Sequence, residues 1–256
     1  MIHKTAIIDK SSEISSKAEI GPNVYIGKNC VIHDNVKIGF GTVIESNTEI
    51  KEGTIISPNA HLGGAPQDIS YKGEDTKLII GKNCIIREFV TIHRASTKED
   101  WVTEIGDNCF IMASSHIAHD CKIGNNVILT SYSGLAGHIH VGDMAVISGL
   151  VAVHQFVRIG KLAMIGGMSR ITLDVPPFTL VEGNPAVIHG LNVIGLRRRG
   201  IGLEVRNELK KLLKIFLDKK YTKEEAIIEM EKVVNSSEGR EFVEFMKYSK
   251  RGITRR

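Results

Sequence analysis

The chain has 256 residues, 42% apolar, 24% charged and only 5% aromatic, which supports one sizeable core or two small ones and excludes a disordered chain. Its 25 glycines lack the spacing of collagen, and no apolar run approaches the roughly 18 residues of a membrane-spanning helix. The net charge of +4 names no partner, and the start MIHKTAIIDKSSE has no signal-peptide shape, so a cytoplasmic protein with no membrane span is expected.

In chain order, the first signal is a period of six. Every sixth residue from Ile2 through Ile8, Ile14, Ile20 and onward to Ile56 and Leu62 is aliphatic. The column resumes in phase at Ile80, Ile86 and Ile92, slips by one residue, and runs unbroken from Ile105 to Ile171. Glycine often follows the aliphatic (Gly21, Gly27, Gly39, Gly106, Gly124), and a small or β-branched residue stands two before it (Ala18, Val24, Thr42, Thr48, Ser115). Six is neither the helical period nor a simple strand alternation; it is the hexapeptide signature of an all-β parallel β-helix. Three hexads make a triangular coil, with the aliphatic inside and small residues at the corners. Cys30, Cys84, Cys109 and Cys121 all occupy the small-residue column, so buried reduced thiols are expected rather than disulfides or a metal site.

Two polar stretches, 63–79 and 93–104, break the repeat and read as loops leaving the prism, where function tends to sit. After Ile171, Pro176, Pro177 and Pro185 mark an extended closing segment. From 195 helical patterning takes over, giving a division into 1–194 and a C-terminal α-helical domain, 195–256. Leu203, Leu209, Leu212, Leu213 and Phe216 lie near a 3.6 period; Thr222 and Glu225 form a capping-box start; Phe242, Val243, Phe245 and Met246 point to a third helix. Residues 197–256 carry 17 basic and 10 acidic side chains, which fits an anionic ligand or partner, while the lack of interleaved aromatics argues against nucleic acid.

Coil arithmetic then groups the histidines. With 18 residues per coil, His119 lies under Gly137, beside His138 and near His154 and Gln155, while His116 is one short strand earlier. Two chemistries could use that edge. Neutral imidazoles on adjacent coils can hold zinc. Alternatively His119, with Asp120 holding its ring, can be a general base, provided a corner turns these neighbours to the same side. Gly137 would let a carbonyl approach, with its N–H as oxyanion donor.

The prism together with HIAHDC (116–121), LAGH (135–138), AVHQF (152–156), DVPPF (174–178), EGNPA (182–186) and GLRRRG (195–200) resembles the UDP-N-acetylglucosamine O-acyltransferases over essentially the whole chain. The resemblance implies a left-handed β-helix, a homotrimer with sites between subunits, and the first step of lipid A biosynthesis. An R-3-hydroxyacyl group would pass from acyl carrier protein to the 3-position of UDP-N-acetylglucosamine or a 3-amino analogue, with no cofactor and no metal. It implies His119 as base, Asp120 as its orienter and Gly137 as oxyanion donor. It also implies substrate contacts at Asp68, His116, His138, His154, Gln155, Asn192, Arg198 and Arg199, with Gly167 leaving a long acyl groove. Ser70 departs from the common pattern, where a lysine follows Asp68 by two, as do Ile194 and Pro185. The alternatives are the later N-acyltransferase of the pathway, which normally has an extra N-terminal domain, and a zinc lyase of the γ-carbonic anhydrase type.

Overall fold

The computed structural model describes residues 1–255. The period of six is visible as strands only two residues long in most hexads, each ending on its column aliphatic, as in Glu13–Ile14 and His116–Ile117. Parallel pairing stacks each hexad on the one a full coil later, Ile8 on Ile26 and Ile117 on Leu135. The result is a prism with faces of nine, eight and ten strands. His116–Ile117 belongs to the first face, Lys122–Ile123 to the second and Phe110–Ile111 to the third.

The interior is the aliphatic column. From Ile20 to Ile171 its members are buried, whereas Ile8 and Ile14 are half-buried and Ile2 is 51% exposed at the open first coil. Fully burying such a side chain contributes about 1.5–3 kcal/mol, so the stack of coils is mainly a hydrophobic one. The small-residue column is buried beside it, and its polar members are satisfied: the Thr54 hydroxyl donates to the Gly81 carbonyl (2.8 Å) and accepts from the Cys84 N–H (3.0 Å). All four cysteines are free and buried in this column, as expected. Gly27 marks a close approach of coils, since a Cβ there would sit 1.6 Å from the Glu45 carbonyl oxygen.

From the second coil on, the corners turn mostly through a residue with positive φ. Up to Asn83, every such residue other than glycine is asparagine. Beyond it asparagine remains at Asn108 and Asn126, but other corners are taken by Phe89, Ser114, Asp120, Tyr132, His138, Leu150, Phe156 and Met168, among others.

The two interruptions are shorter than the sequence pattern indicates. Strands His61–Gly64 and Lys77–Ile80 absorb the ends of the first, and Thr91–His93 and Val102–Ile105 those of the second. Their flanks keep ladder partners, so only 65–76 and 94–101 leave the prism. The two excursions are tied together: Arg94 donates to the Tyr71 hydroxyl (2.9 Å) and the Gly63 carbonyl (2.7 Å), and Lys98 pairs with Asp68 (2.6 Å).

After Ile171 the chain forms an antiparallel hairpin, Thr179–Gly183 with Ala186–Leu191, that closes the third face. Four helices follow: α1 (Val193–Arg198), α2 (Leu203–Leu217), α3 (Lys223–Glu231) and α4 (Ser237–Lys247). The capping box at Thr222 and Glu225 is present, and Leu209, Leu212, Leu213 and Phe216 form the buried stripe of α2. The short α1 is not anticipated by the helical period, being a single cap-driven turn and a half. Beyond α4 the tail returns to the prism, where Asp174 accepts from the Ser249 hydroxyl (2.7 Å) and its carbonyl from the Thr254 N–H (2.9 Å). Among the described residues no helix is long and apolar enough to cross a membrane.

Candidate active site

The site grows from one corner, between strands His116–Ile117 and Lys122–Ile123. On a flat strand His119 and Asp120 would point to opposite sides. Asp120 instead has φ +60°, and the corner brings the two side chains together, with His119 Nδ1 2.7 Å from Asp120 Oδ2. A carboxylate only accepts, so Nδ1 carries the hydrogen and Nε2 keeps its lone pair.

Asp120 is 1% exposed and richly bonded. Its carboxylate accepts from the Ser96 N–H (3.0 Å to Oδ2) and the Ser96 hydroxyl (2.7 Å), while its own N–H donates to the Thr103 hydroxyl (2.8 Å). Burial pushes the carboxyl upward, but the bonds from His119 and Ser96 together outweigh it and hold it below its ordinary value.

Gly137 sits on the next coil against the His119 ring. A Cβ there would lie 2.6 Å from the ring's Cε1 and 2.9 Å from Nε2, so any side chain would displace the imidazole. Among the described residues the Gly137 N–H has no backbone acceptor, whereas its carbonyl accepts from Phe156. His138, the following residue, lies edge-on to His119 with ring centres 5.2 Å apart and stacks on Phe156 at 4.5 Å. Glu99 Oε1 is 3.1 Å from His138 Nδ1 but off the line of a hydrogen bond.

The structure therefore brings His119, Asp120, Gly137 and His138 together, as the coil arithmetic indicates. His116 is a neighbour on the first face, its Nδ1 2.7 Å from the Thr91 hydroxyl and its ring 5.1 Å from His93. Burial, then the nearby His119, pushes the His116 pKa down. His154 and Gln155 follow the same corner higher up, but the polar contact of His154 is with Arg251 of the tail (2.7 Å), not with His119. Asp68 lies on the first loop, held well below the usual carboxylate range by Lys98 and then by the Ser70 N–H and hydroxyl. Asn192 is the N-cap of α1: its Oδ1 accepts from Gly195 N–H (3.0 Å) and its Nδ2 donates to the Leu162 carbonyl (2.9 Å). It thereby positions the helix that carries the exposed Arg198, with Arg199 next to it. Gly167 is exposed with no atom closer than 3.5 Å to a built Cβ, so the space beside it is open.

Ser96, Lys98, Glu99 and Phe156 complete the site and were not among the expected residues. The first three lie in an aperiodic loop, while Phe156 shares the corner column of Asp120 and His138 and was open to the same arithmetic.

His119, Asp120 and His138 also present ligand atoms within 4.8 Å of one another, close enough to share a cation. That set is two imidazoles and one carboxylate whose oxygens already accept from Ser96 and His119, not the three histidines of the zinc alternative.

Comparison with known proteins agrees with this geometry. The chain matches the family models "Udp N-acetylglucosamine O-acyltransferase; Domain 2" over residues 174–254 and "Bacterial transferase hexapeptide (six repeats)" over 103–137. It is 52% identical to the acyl-[acyl-carrier-protein]–UDP-N-acetylglucosamine O-acyltransferase of Thermodesulfovibrio yellowstonii over 99% of both chains. Against the enzyme of that name from Aquifex aeolicus it is 54% identical, over 99% of this chain and 98% of the other. The crystal structure of a UDP-N-acetylglucosamine acyltransferase from Bacteroides fragilis superposes with a TM-score of 0.97 at 38% identity over the full length of both chains. That from Acinetobacter baumannii gives 0.92 at 36% over 99% of each. The prism is thus the left-handed β-helix of these proteins. Full-length identity above one half, a shared fold from first coil to last helix and the histidine corner together make the chain a member of the acyl-[acyl-carrier-protein]–UDP-N-acetylglucosamine O-acyltransferase family.

Proposed function

We propose that the chain catalyses the first step of lipid A biosynthesis, moving an R-3-hydroxyacyl group from the thioester of acyl carrier protein to the 3-hydroxyl of UDP-N-acetylglucosamine. The observation that carries the mechanism is the His119–Asp120 bond of 2.7 Å with Gly137 against the same ring. His119 Nε2 takes the proton of the sugar hydroxyl as its oxygen attacks the thioester carbonyl. The resulting oxyanion accepts from the Gly137 N–H. The tetrahedral intermediate collapses, the carrier-protein thiolate leaves, and the imidazolium returns the proton to it. Asp120 fixes the ring's tautomer and stabilises the imidazolium.

Around this centre, His116, His138, His154 and Gln155 line the donor and sugar sites, and Asp68 receives the hydroxyl of the acyl chain. Arg198 and Arg199 meet the nucleotide phosphates, for which the guanidinium fork is well shaped, and Asn192 sets their helix. The acyl chain runs past Gly167, whose open surroundings favour a long one. The excess of basic residues after 196 suits an acidic carrier protein.

The working unit is a homotrimer. His119 lies on an edge rather than in a cleft, and a groove of about 720 Å³ between the second face and α4 does not include it. A different edge carries an apolar ridge, Phe89, Tyr132, Leu150 and Met168, each more than half exposed in the single chain. In a closed threefold ring the ridge of one copy would cover the His119 edge of the next and supply the missing wall of its site.

The test is transfer from R-3-hydroxyacyl carrier-protein thioesters of several lengths to UDP-N-acetylglucosamine and its 3-amino analogue in parallel. Product on the hydroxyl acceptor, abolished in His119→Ala, is expected. Preference for the amine would reassign the nucleophile with the same base, and near-normal turnover in a folded His119→Ala protein would remove the mechanism.

A further inference from the structure

Loop 94–101 leaves the prism and then returns to the catalytic corner at one residue. Ser96 is 2% exposed and directs two donors, its N–H and its hydroxyl, at the Asp120 carboxylate. The oxygen that accepts the Ser96 hydroxyl at 2.7 Å is Oδ2, the same oxygen that accepts from His119 Nδ1 at 2.7 Å. Two donors on one oxygen compete for its electron density. The serine thus sets both where the carboxylate stands and how strongly it can hold the histidine.

We propose that Ser96 is a positioning residue of the acyl transfer, acting on His119 through Asp120 as the third member of a Ser96–Asp120–His119 relay. The proposal rests on His119 being the general base. Unlike a serine nucleophile, Ser96 is buried and its hydroxyl is directed at the carboxylate. Its loop also reaches the acyl side of the site: the Lys98 N–H donates to the Ser96 hydroxyl (3.3 Å), while the Lys98 ammonium holds Asp68 (2.6 Å). The relay and the expected acyl-hydroxyl contact therefore share one three-residue segment. A donor chain seated correctly at Asp68 tightens the same loop that seats Asp120.

Other titratable groups face His119 as well: His138 on the next coil, His116 and His93 on the first face, and Glu99 from the loop beside His138. None of these hydrogen-bonds to Ser96, so a shift in the pH–rate profile of a Ser96 variant is read as the relay's.

The experiment compares Ser96→Ala and Ser96→Thr with the unaltered protein, each checked for its melting temperature and assembly state. Ser96→Ala keeps the backbone donor and removes the hydroxyl. Its kcat is expected to fall roughly ten-fold with KM for the sugar nucleotide little changed, the size expected for a lost hydrogen bond to a charged group. The acid limb of its kcat/KM profile is expected to move up by roughly half a pH unit, because a carboxylate relieved of one donor holds the imidazolium more tightly. Ser96→Thr restores the hydroxyl and should recover both rate and limb. A folded Ser96→Ala protein with an unmoved limb and an unchanged kcat overturns the relay. Adding Ser96→Ala to His119→Ala separates the two readings. If His119 is the base, the double variant is no slower than His119→Ala alone. If His119→Ala is itself active, the base assignment fails, whatever Ser96 does.

Discussion

The early coils and the late coils have the same interior and different corners. Ile26, Ile44 and Ile56 in the first part, and Ile117, Ile147 and Ile165 in the second, are equally buried. The turning residues differ. Asn23, Asn29, Asn35, Asn47 and Asn59 take the left-handed corners of the early coils, and Asn29 even donates to Asn47 along the stack (3.1 Å). Asparagine is the residue other than glycine that visits this conformation most readily. In the late coils one corner column still begins with Asn108 and Asn126, but Asp120, His138 and Phe156 occupy a second and Ser114, Tyr132, Leu150 and Met168 a third. A bulky side chain in that conformation costs roughly 1–2 kcal/mol. A uniform hydrophobic column tolerates these costs, and the strain lies at the proposed catalytic corner and at the exposed apolar ridge.

The comparison can be broken by moving the early solution into the late coils. Asp120→Asn places the early-coil residue at the catalytic corner with nearly the same shape. The fold should survive, with a melting temperature within a few degrees, while kcat falls by roughly three orders of magnitude because the ring loses its carboxylate partner. Retained turnover would show that Asp120 is only a corner residue. Gly137→Ala comes next: the new methyl must push the His119 ring, and kcat should drop roughly 100-fold in steady-state kinetics, the usual cost of about 1 Å of misplacement.

The apolar corner sharpens the contrast by reciprocal exchange. Asn35→Leu, on an exposed early corner, should destabilise by about 1 kcal/mol in denaturant melts. Leu150→Asn relieves the same strain, yet it should weaken the trimer, seen as a smaller sedimenting species on dilution. A trimer that withstands dilution would mean the ridge is not the contact.

A further contrast is in pH-dependent stability at the boundary between the two regions. Burial, then His116, His61 and His119, push the His93 pKa down from 6.5 to about 4. The unfolded chain therefore binds a proton that the folded chain refuses between those values, and stability should fall as pH drops from 6.5 towards 4. Above 6.5 both forms are neutral and the term is constant. His93→Asn should flatten that part of the profile in melts taken at half-unit steps.

What could be read from the sequence follows from the period. The column fixes the strands, and a constant coil length converts sequence separation into contact, which is why His119, Gly137 and His138 could be grouped without coordinates. The capping box at Thr222 was legible for the same local reason. Asp120 could be named too, on condition that a corner turned it towards His119, but Ser96 could not, because a loop that breaks the period also breaks the arithmetic. His154 shows another limit: the coil count gives its height on the prism, but Arg251 of the tail decides what its ring meets. Asn192 was expected as a nucleotide contact, and its part in capping α1 and in bonding the Leu162 carbonyl was not legible beside it.

The two ends of the prism are unlike. At the last coil the ladder is stopped, by the antiparallel strand Ala186–Leu191 on one face and by the returning tail, whose Ile253 pairs with Asp174, on another. At the first coil it is open, with Ile2 and Ile7 exposed. Open-ended growth of identical units requires head to meet tail, so that each addition regenerates the site for the next. Here one terminus is blocked, and two open termini can meet only once. The same stacking that makes the coils so easily extended within a chain is thereby prevented from continuing between chains, and the polarity of the stack acts as its own chain terminator.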